Sequence, residues 1–382
     1  MINIPEPEWK TSITKTILDL DKLRTRFLWG EIPAYLFFQM KEIFHMLETI
    51  GSARIEGNNT TLAEYIEDVI DKGHDPSTEN NRELINIDKA IHFIEKNTDA
   101  QTPINRAYLS QLHKLATDGL TPPPKGEGSR YPGQLRKNNV TIGKADHKPA
   151  DVAILKEQFD DFIEFINAEH IEQNQLLMVA IAHHRFMYIH PFDNGNGRVG
   201  RLLNYALLIK LGFNVKDGRI INASSVFYTD RDKYYDMLAC ADSLKDKDVL
   251  DWCEYFLNGL RNEIEKIDNL MSAQFTRKQI LLPTLKFALE REHITKQEFD
   301  ILKVLVNKKK MVIKASALEA LGLNTPVQRS RAIKQLRDKR MLVPIAEGKR
   351  EYRIEFLNNY LLRGMINALK ENGFVADFLN RN

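Results

Sequence analysis

The hydrophobic positions of this 382-residue chain follow helical spacing over most of its length. Across residues 10–50 apolar side chains recur every three or four positions, which predicts amphipathic helices. Gly51 followed by Ser52 is typical of a helix end and a new N-cap, so we expect at most a short helical piece over Ser52–Glu56. The same periodicity predicts helices over 61–96, 105–118, 151–168, 172–189, 199–211, Tyr234–Leu244 and Val249–Ile267.

Residues 121–150 interrupt this helical pattern, because they are rich in Gly, Pro and Asn. Gln134–Arg136 and Val140–Ile142 flank Lys137-Asn138-Asn139, which is typical of a turn. The pattern therefore predicts a short β-hairpin over 134–143. An isolated hairpin is marginally stable in water, so we expect this one to pack on another element or to serve the function.

The C-terminal segment has its own order of predicted elements. Thr325 followed by Pro326 is a strong helix-start signal, because Thr caps the helix and Pro fits its first position. Helix, helix-turn-helix and two strands is the order of a winged helix. The predicted elements are helices over 297–306, Ala315–Leu321 and Val327–Lys339 and strands over Leu342–Ile345 and Glu351–Ile354.

Charge divides the chain into two parts. The formal net charge is only +2, yet residues 276–382 hold 22 Lys and Arg against 11 Asp and Glu, a balance of +11. The preceding residues have a balance of −9, which indicates two modules with different partners. A basic module is suited to nucleic acid, although lysines also serve simply to solvate a surface.

Composition places the chain among globular proteins, with 43% hydrophobic and 28% charged residues. The central apolar run Leu176–Ala182 is too short to span a membrane, and the first residues show no signal-peptide pattern. Cys240 and Cys253 fit neither a disulfide framework nor a zinc motif. We therefore expect a cytoplasmic protein that does not contact a membrane.

Candidate chemistry is concentrated in residues 189–201. A helix is expected to end near His190, and a new one to begin near Gly197 after a flexible loop. A Gly-rich loop that leads into a helix N-terminus is an anion site, and two arginines three residues apart, Arg198 and Arg201, can both grip phosphate oxygens. His190 can accept a proton near neutral pH. These residues together predict a polyphosphate site with a base beside it.

This string resembles the signature of the Fic (Fido) family, His-Pro-Phe-x-Asp/Glu-Gly-Asn-Gly-Arg-x-x-Arg. The resemblance implies a mainly α fold, a helical Fic core with a small β-hairpin flap, here followed by the winged-helix (α+β) domain. It also implies transfer of AMP from ATP, with Mg²⁺, to a Tyr, Thr or Ser hydroxyl of a protein.

The resemblance also assigns roles to individual residues. His190 would deprotonate the target hydroxyl, Arg198 would hold the β-phosphate and Arg201 the γ-phosphate. The metal-binding acid of the family falls on Asn194, whose amide is a weaker ligand for a hard cation, and the adjacent Asp193 is a second, weaker candidate. The α-phosphate would be held by the loop formed by Asn194, Gly195, Asn196 and Gly197.

Further nucleotide contacts are expected outside this loop. The flap residues Ile142, Gly143, Lys144 and Ala145 would lie near the nucleotide, and the flap would pair with the target backbone as an added strand. Tyr234 and Tyr235 resemble a tyrosine pair near the nucleoside, although core packing explains them equally well. Asp242 falls where relatives often carry Asn. His183 and His184 are expected to be packing residues.

An inhibitory motif, Ser/Thr-x-x-x-Glu-Gly/Asn, is similar to residues 52–58, in which Ser52 and Glu56 hold the fixed positions. A Glu56 carboxylate paired with Arg201 would occupy donors meant for the γ-phosphate. The alternative is that Glu56 is a solvated residue at a helix end.

These features predict three regions: an N-terminal helical region 1–104 that includes the inhibitory segment, a catalytic core 105–270, and a linker helix with the winged helix at 271–382. The leading hypothesis is autoinhibited transfer of AMP from ATP to an unknown target protein and to the enzyme itself. One alternative is removal of AMP at the same site. Another is a DNA-binding regulator, reading duplex through residues 325–340, with a weak or inert core. A homodimer is expected by analogy with Fic proteins.

Overall fold

The computed structural model describes residues 2–26, 31–72, 78–142, 147–213, 215 and 218–380. The part of the chain before residue 270 is helical. Its helices are α1 Ser12–Thr25, α2 Ala34–Ile55, α3 Leu62–Lys72, α4 Glu79–Asn97, α5 Arg106–Thr117, α6 Val152–Asn167, α7 Glu172–Ile189, α8 Asn196–Lys210, α9 Ser225–Tyr228, α10 Arg231–Ala241 and α11 Asp246–Asp268.

The C-terminal part adds helices and a small sheet. Its helices are a 3-10 turn Asn269–Met271, α12 Ala273–Phe275, a π-helix Thr276–Leu281, α13 Leu282–Glu290, α14 Lys296–Asn307, a 3-10 helix Ala315–Leu321, α15 Pro326–Asp338, α16 Leu361–Glu371 and a 3-10 turn Asp377–Asn380. Its strands are β1 Val312–Lys314, β2 Leu342–Pro344 and β3 Glu351–Ile354, which pair antiparallel in the order β1-β3-β2. The prediction of a mainly helical fold is confirmed.

Helix α8 lies at the centre of the molecule. Its residues from Asn196 to Ile209 are all buried, so it is covered on every side rather than on one stripe. Buried apolar side chains from Ile13 to Leu379 form one contiguous cluster around it. A residue on α8 is therefore held by the whole core, which fixes the position of Arg198 and Arg201.

The predicted helix end at Gly51 is wrong, because α2 continues through Gly51 and Ser52 to Ile55. The reason is a close contact: a Cβ on Gly51 would lie 2.2 Å from the ring of Tyr228. Glycine here admits an aromatic ring against the helix rather than ending it. As a result α2 delivers Ser52 and Glu56 at its own C-terminal end.

The predicted flap hairpin is not formed in the part of 134–143 that the structure describes, since residues 134–142 contain no strand. The backbone N–H of Arg136 donates to the carbonyl of Pro191 at 2.9 Å instead of pairing across a hairpin. Asn139 holds the start of α6, because its side-chain oxygen accepts from the backbone N–H of Val152 at 2.8 Å. This segment packs on the candidate site as an irregular strap.

The C-terminal elements α14 to β3 follow the order expected of a winged helix. Thr325 caps α15 in a reciprocal capping box with Gln328, as the sequence indicates. The sequence reasoning missed β1, which is only three residues long, and it took the 3-10 helix Ala315–Leu321 for an α-helix. Val327, an apolar residue in the first turn of α15, is 78% exposed.

The C-terminal domain packs on the N-terminal half of α2. Gln39 makes a two-way contact, because its amide donates to the carbonyl of Ile354 at 3.1 Å and accepts from the N–H of Phe356 at 2.7 Å. Tyr35 donates to the carbonyl of Met311 at 2.8 Å. One helix therefore touches the small sheet at its start and the candidate site at its end.

Within the described residues, the helices are all too short or too polar to cross a membrane.

Candidate active site

The candidate site is the turn between α7 and α8. The first helix ends at Ile189, and His190 follows in the left-handed conformation with φ 53°. Gly195, with φ 74°, caps the start of α8, a conformation in which glycine carries no steric penalty. Six residues, 190–195, thus connect the two helices, and α8 begins near Gly197 as the sequence predicts.

The loop is braced by its own side chains. Asn196 accepts from the backbone N–H of Phe192 and donates to the carbonyl of the same residue, both at 2.9 Å. His113 of α5 stacks on Phe192 with ring centroids 3.9 Å apart and bonds the carbonyl of Asn194 at 3.0 Å. Because Asn196 is buried and doubly bonded, it fixes the shape of the loop.

His190 is arranged as a neutral imidazole. Its Nδ1 lies 3.3 Å from the carbonyl of Met187, which can only accept, so Nδ1 carries the proton and Nε2 has the lone pair. Burial lowers the pKa of His190 to about 4, with the charge of Arg136 adding to the effect. Arg136 also donates from Nε to the His190 carbonyl at 3.0 Å and so fixes the left-handed turn.

The two predicted metal ligands differ in their surroundings. Both oxygens of Asp193 are already used, one by the hydroxyl of Ser129 and one by the N–H of Arg130 at 2.8 Å. Asp193 therefore holds the 129–130 segment rather than facing the phosphate site. Asn194 lies with its amide nitrogen 3.3 Å from a carboxylate oxygen of Glu127, a side chain that is 47% exposed. The structure thus brings a carboxylate to the position where the sequence has an amide.

Arg201 is paired with the predicted inhibitory segment. Its Nη2 donates to the Glu56 carboxylate at 2.7 Å and to the Ser52 carbonyl at 3.0 Å, and its Nε donates to the Ser52 hydroxyl at 2.9 Å. The guanidinium is 1% exposed and the Glu56 side chain 25%. Although burial opposes ionisation, the charges of Arg201 and Arg198 lower the pKa of Glu56, so its carboxylate is ionised here.

Glu56 also lies directly over the first turn of α8, where the sequence predicts the anion site. A Cβ placed on Gly197 would be 2.0 Å from the Glu56 carboxylate oxygen. Gly197 is in the first turn of α8, where unpaired N–H groups and the helix dipole favour negative charge. The carboxylate therefore sits where the sequence predicts a phosphate.

Arg198 is fully buried and has different partners. Its Nη1 forms an ion pair with Glu83 of α4 at 2.9 Å, and its Nη2 donates to the backbone carbonyl of Glu127. Asn58, which is within the predicted inhibitory segment, donates to the other Glu83 oxygen at 2.8 Å. Burial raises the pKa of Glu83, while the charge of Arg198 acts against that shift.

The residues predicted to contact the nucleoside differ in burial: some lie in the core and others at the surface. Tyr234 is fully buried, with its hydroxyl 2.9 Å from Nε2 of His183, so it is a packing residue. Tyr235 is 40% exposed. Asp242 binds Nε2 of His184 at 3.0 Å. Both histidines are buried inside α7, which agrees with their predicted packing role.

Among the flap residues, Ile142 is half-buried, whereas Gly143, Lys144 and Ala145 lie outside the described residues. Sequence reasoning missed His113, Glu83, Glu127 and Arg136. They come from segments distant in the chain, and no local motif marks them.

The Fic/DOC family matches residues 103–208, which include the whole loop and both arginines. Residues 103–208 are a Fic/DOC domain. The family name agrees with the one the sequence motif suggests.

Two curated relatives of the Fic domain are the protein adenylyltransferase Fic of Drosophila erecta and that of Drosophila ananassae. Each is 30% identical over 173 residues, which is 44% of this chain and 32% of the relative. The chain thus spans about a third of the length of these relatives.

Solved structures support the fold. A Fic family protein from Desulfovibrio desulfuricans G20 is 20% identical with a TM-score of 0.55, covering 92% of this chain and 98% of that one. Fic-1 (residues 134–508) from C. elegans is 21% identical with a TM-score of 0.50, covering 66% and 72%.

Proposed function

We propose that this protein transfers AMP from ATP to the hydroxyl of a Tyr, Thr or Ser on a target protein and on itself, and that Glu56 inhibits the transfer. The observation that supports it is the juxtaposition at the start of α8: a neutral histidine, a glycine-rich anion loop and two buried arginines. The Fic domain and the adenylyltransferase names of its relatives point to the same chemistry.

His190 acts as the general base in this proposal. Because Nδ1 is committed to the Met187 carbonyl, Nε2 accepts the proton of the attacking hydroxyl. The hydroxyl oxygen then forms a bond to the α-phosphorus of ATP as the bond to the β-phosphate oxygen breaks, and pyrophosphate leaves. The low pKa keeps the imidazole unprotonated at neutral pH, so a free base is present in nearly every molecule.

The phosphates are held by the loop and by Arg201. The N–H groups at the start of α8 and the helix dipole stabilise charge on the α-phosphate. Arg201 is suited to the γ-phosphate, because its Nη1 is buried and has no hydrogen-bond partner within the described residues.

Residues near Asn194 fit Mg²⁺, which when bound would shield the charge of the triphosphate. The half-exposed carboxylate here is that of Glu127, which faces the Asn194 amide nitrogen. The Asn194 amide oxygen accepts from the Gly195 N–H at 2.8 Å and keeps a second lone pair for a cation, whereas both Asp193 oxygens hold the 129–130 segment. We expect Asn194→Asp to lower the Mg²⁺ concentration needed for half-maximal labelling and Glu127→Gln to raise it. If neither substitution moves the Mg²⁺ titration, metal binding rests on the phosphates alone.

Autoinhibition follows from the position of Glu56. Its carboxylate takes the Nη2 donor of Arg201 and lies over Gly197, so a γ-phosphate cannot reach the same donor until Glu56 leaves. ATP bound with Glu56 in place would have its phosphates displaced from the productive position.

The deciding experiment is incubation of the full chain with ATP labelled on the α-phosphate. Transfer predicts covalent label on the protein, and label on the γ-phosphate must not be retained. The reverse reaction, removal of AMP, is tested by adding a pre-labelled protein and following release. A protein that binds ATP and does neither would be a regulator with an inert core.

Binding of duplex DNA through residues 325–340 is a second, independent proposal for the C-terminal domain. Arg331 and Lys334 are exposed on α15, whereas Arg329 is held by Glu319 at 2.6 Å and is therefore a poor contact. We expect the full chain to bind labelled duplex at low salt and Arg331→Ala with Lys334→Ala to weaken it, with a smaller salt dependence. Equal binding by the double variant would assign α15 to protein contact or to a homodimer.

A further inference from the structure

A cluster of metal-ligating side chains lies outside the Fic domain, between α2 and α4. Glu42 and His45 are three residues apart on α2, and His92 faces them from α4. One ligand atom of each lies within 4.8 Å of the others. Nε2 of His92 is 3.9 Å from the Glu42 carboxylate.

Each histidine has one nitrogen fixed by a partner that can only accept a hydrogen bond. Nε2 of His45 lies 3.1 Å from a Glu95 oxygen, and Nδ1 of His92 lies 3.0 Å from the Asp88 carbonyl. Glu95 also accepts from the Tyr205 hydroxyl at 2.6 Å and from the Lys41 ammonium at 2.9 Å, so it acts as an acceptor toward His45 as well. The protons are therefore on His45 Nε2 and His92 Nδ1.

The other nitrogen of each ring then has a free lone pair. Nδ1 of His45 is buried and has no hydrogen-bond partner among the described residues, and the His45 residue is only 3% exposed. Ligating histidines in metal sites have this arrangement, with one nitrogen on the metal and the other donating to a carboxylate or a carbonyl. A buried nitrogen lone pair without a partner needs an explanation, and a cation supplies one.

The surrounding charge is negative. Three carboxylates lie at the cluster: those of Glu42 and Asp88 are 3.9 Å and 3.5 Å from the His92 ring nitrogens, and that of Glu95 is 3.1 Å from His45. Lys41 packs nearby and is paired with the second oxygen of Glu95 at 2.9 Å. The field at the cluster therefore favours an added positive charge.

We propose that Glu42, His45 and His92 form a binding site for a transition-metal dication, with Zn²⁺ as the best-matched ion. Two imidazoles and one carboxylate are a common zinc ligand set that leaves a fourth position open to solvent. Zinc bonds of about 2.0–2.1 Å need the three ligand atoms closer than they are now. The Glu42 and His92 side chains are 42% and 49% exposed, so they can rotate inward.

The position of this cluster gives the ion a structural role. Helices α2 and α4 run antiparallel, since Lys41 of α2 pairs with Glu95 near the end of α4. Away from the cluster, Glu56 at the end of α2 pairs with Arg201 of α8, and Glu83 near the start of α4 pairs with Arg198. His45 is seven residues before Ser52, about 10 Å along α2. An ion at the cluster would fasten together the two helices that present both acids, independently of whether AMP transfer is the function.

The test is a Zn²⁺ titration of the full chain after chelator treatment, in competition with a chromophoric chelator at pH 7.5. We expect one ion per chain and a rise in Tm with Zn²⁺, because the ion binds only the folded state. Loss of an outer hydrogen bond weakens metal sites by roughly 10–100-fold, so His92→Ala, which removes a ligand, should weaken binding by at least that factor.

A matched control is His170→Ala, since His170 binds the Phe165 carbonyl away from the cluster. This variant should bind Zn²⁺ as the wild type does. With Co²⁺ in place of Zn²⁺, the wild type should show visible absorption bands that His92→Ala lacks. Absence of saturable binding in the wild type would overturn the proposal, and so would equal affinity in His92→Ala. Because His92 is half-exposed, its removal leaves the fold testable by circular dichroism.

Discussion

Arg198 and Arg201 lie on the same helix, one turn apart, and both are paired with a carboxylate from the N-terminal region, yet the two pairs differ in kind. Glu56 reaches Arg201 from the end of α2 and is 25% exposed, whereas Glu83 reaches Arg198 from within α4 and is 4% exposed. The first carboxylate can turn toward water without moving its helix. The second cannot leave without emptying a buried site.

This difference shows why only one of two similar ion pairs is suited to inhibition. Removing one partner from a buried pair leaves an uncompensated charge, which costs about 3–5 kcal/mol. A partly exposed pair separates at lower cost because water replaces the contact. Glu56 is therefore suited to release, and Glu83 holds Arg198 in a fixed position as part of the fold.

The largest effect should come from removal of the proposed general base, His190, because self-labelling depends on it. In a Glu56→Gly background, His190→Ala should lower self-labelling by about 10²–10⁴-fold, because Nε2 no longer accepts the proton. ATP binding, measured by calorimetry, should change little. His170→Ala is the control and should label normally. Unchanged labelling by His190→Ala would show that His190 is not the general base.

Opening the Arg201 pair is expected to activate. Glu56→Gly should raise self-labelling by about 10–100-fold, since a hydrogen bond between charged groups contributes about 1.5–3 kcal/mol. Glu56→Gln tests charge alone and should also raise labelling, to a smaller extent. Both variants are assayed with labelled ATP at matched protein concentration. If both stay folded and neither labels more than the wild type, Glu56 is not inhibitory.

Opening the Arg198 pair should destabilise the protein without activating it. Glu83→Ala should lower the free energy of unfolding by about 3–5 kcal/mol, because Arg198 stays buried without its counter-charge. Urea unfolding and self-labelling are measured on the same samples. A variant that keeps its stability and labels more strongly would make Glu83 a second inhibitory residue, and the two pairs would then be equivalent.

The smallest effect is a difference in pH dependence between the pairs. The pKa of Glu56 is lowered, so its stabilising contribution is present above its ordinary pKa and is lost only as pH falls through the lower folded value. The pKa of Glu83 is raised, so the protein gains stability as pH falls through that value.

Urea unfolding at pH 7 and pH 5 measures both effects against Glu56→Gln and Glu83→Gln. From pH 7 to pH 5 the free energy of unfolding of the wild type should rise relative to that of Glu83→Gln, by up to about 1.4 kcal/mol per unit of pKa shift. The difference in free energy of unfolding between the wild type and Glu56→Gln should stay constant. Equal trends in the two comparisons would contradict the distinction.

Local sequence patterns predict much of the fold and the centre of the candidate site. The His190-to-Arg201 string predicts a helix end, an anion loop and a helix start because all three depend on neighbours in sequence, and the Thr325 cap is predicted for the same reason. The pattern at Gly51 predicts the wrong helix end, because the residue that explains this glycine, Tyr228, comes from a distant segment.

Long-range partners were not predictable in the same way. Glu83 is one acid among many on an amphipathic helix, and only the packing of α4 on α8 pairs it with Arg198. Glu127 belongs to the irregular segment 121–133, whose path no periodicity marks, so its approach to Asn194 could not be foreseen. Side chains that act through tertiary contacts leave no spacing signature in one sequence.

Gly197 places a limit on how the activity of this protein can change by mutation. In the proposed function the space above its Cα is shared by the Glu56 carboxylate now there and by a phosphate of ATP, and a single added carbon would lie 2.0 Å from that carboxylate oxygen. A side chain at Gly197 that displaces Glu56 would therefore also displace the phosphate. Under that proposal, substitutions that raise basal activity are expected on the α2 side, in the length, charge and helical register of residues 52–58, rather than at Gly197.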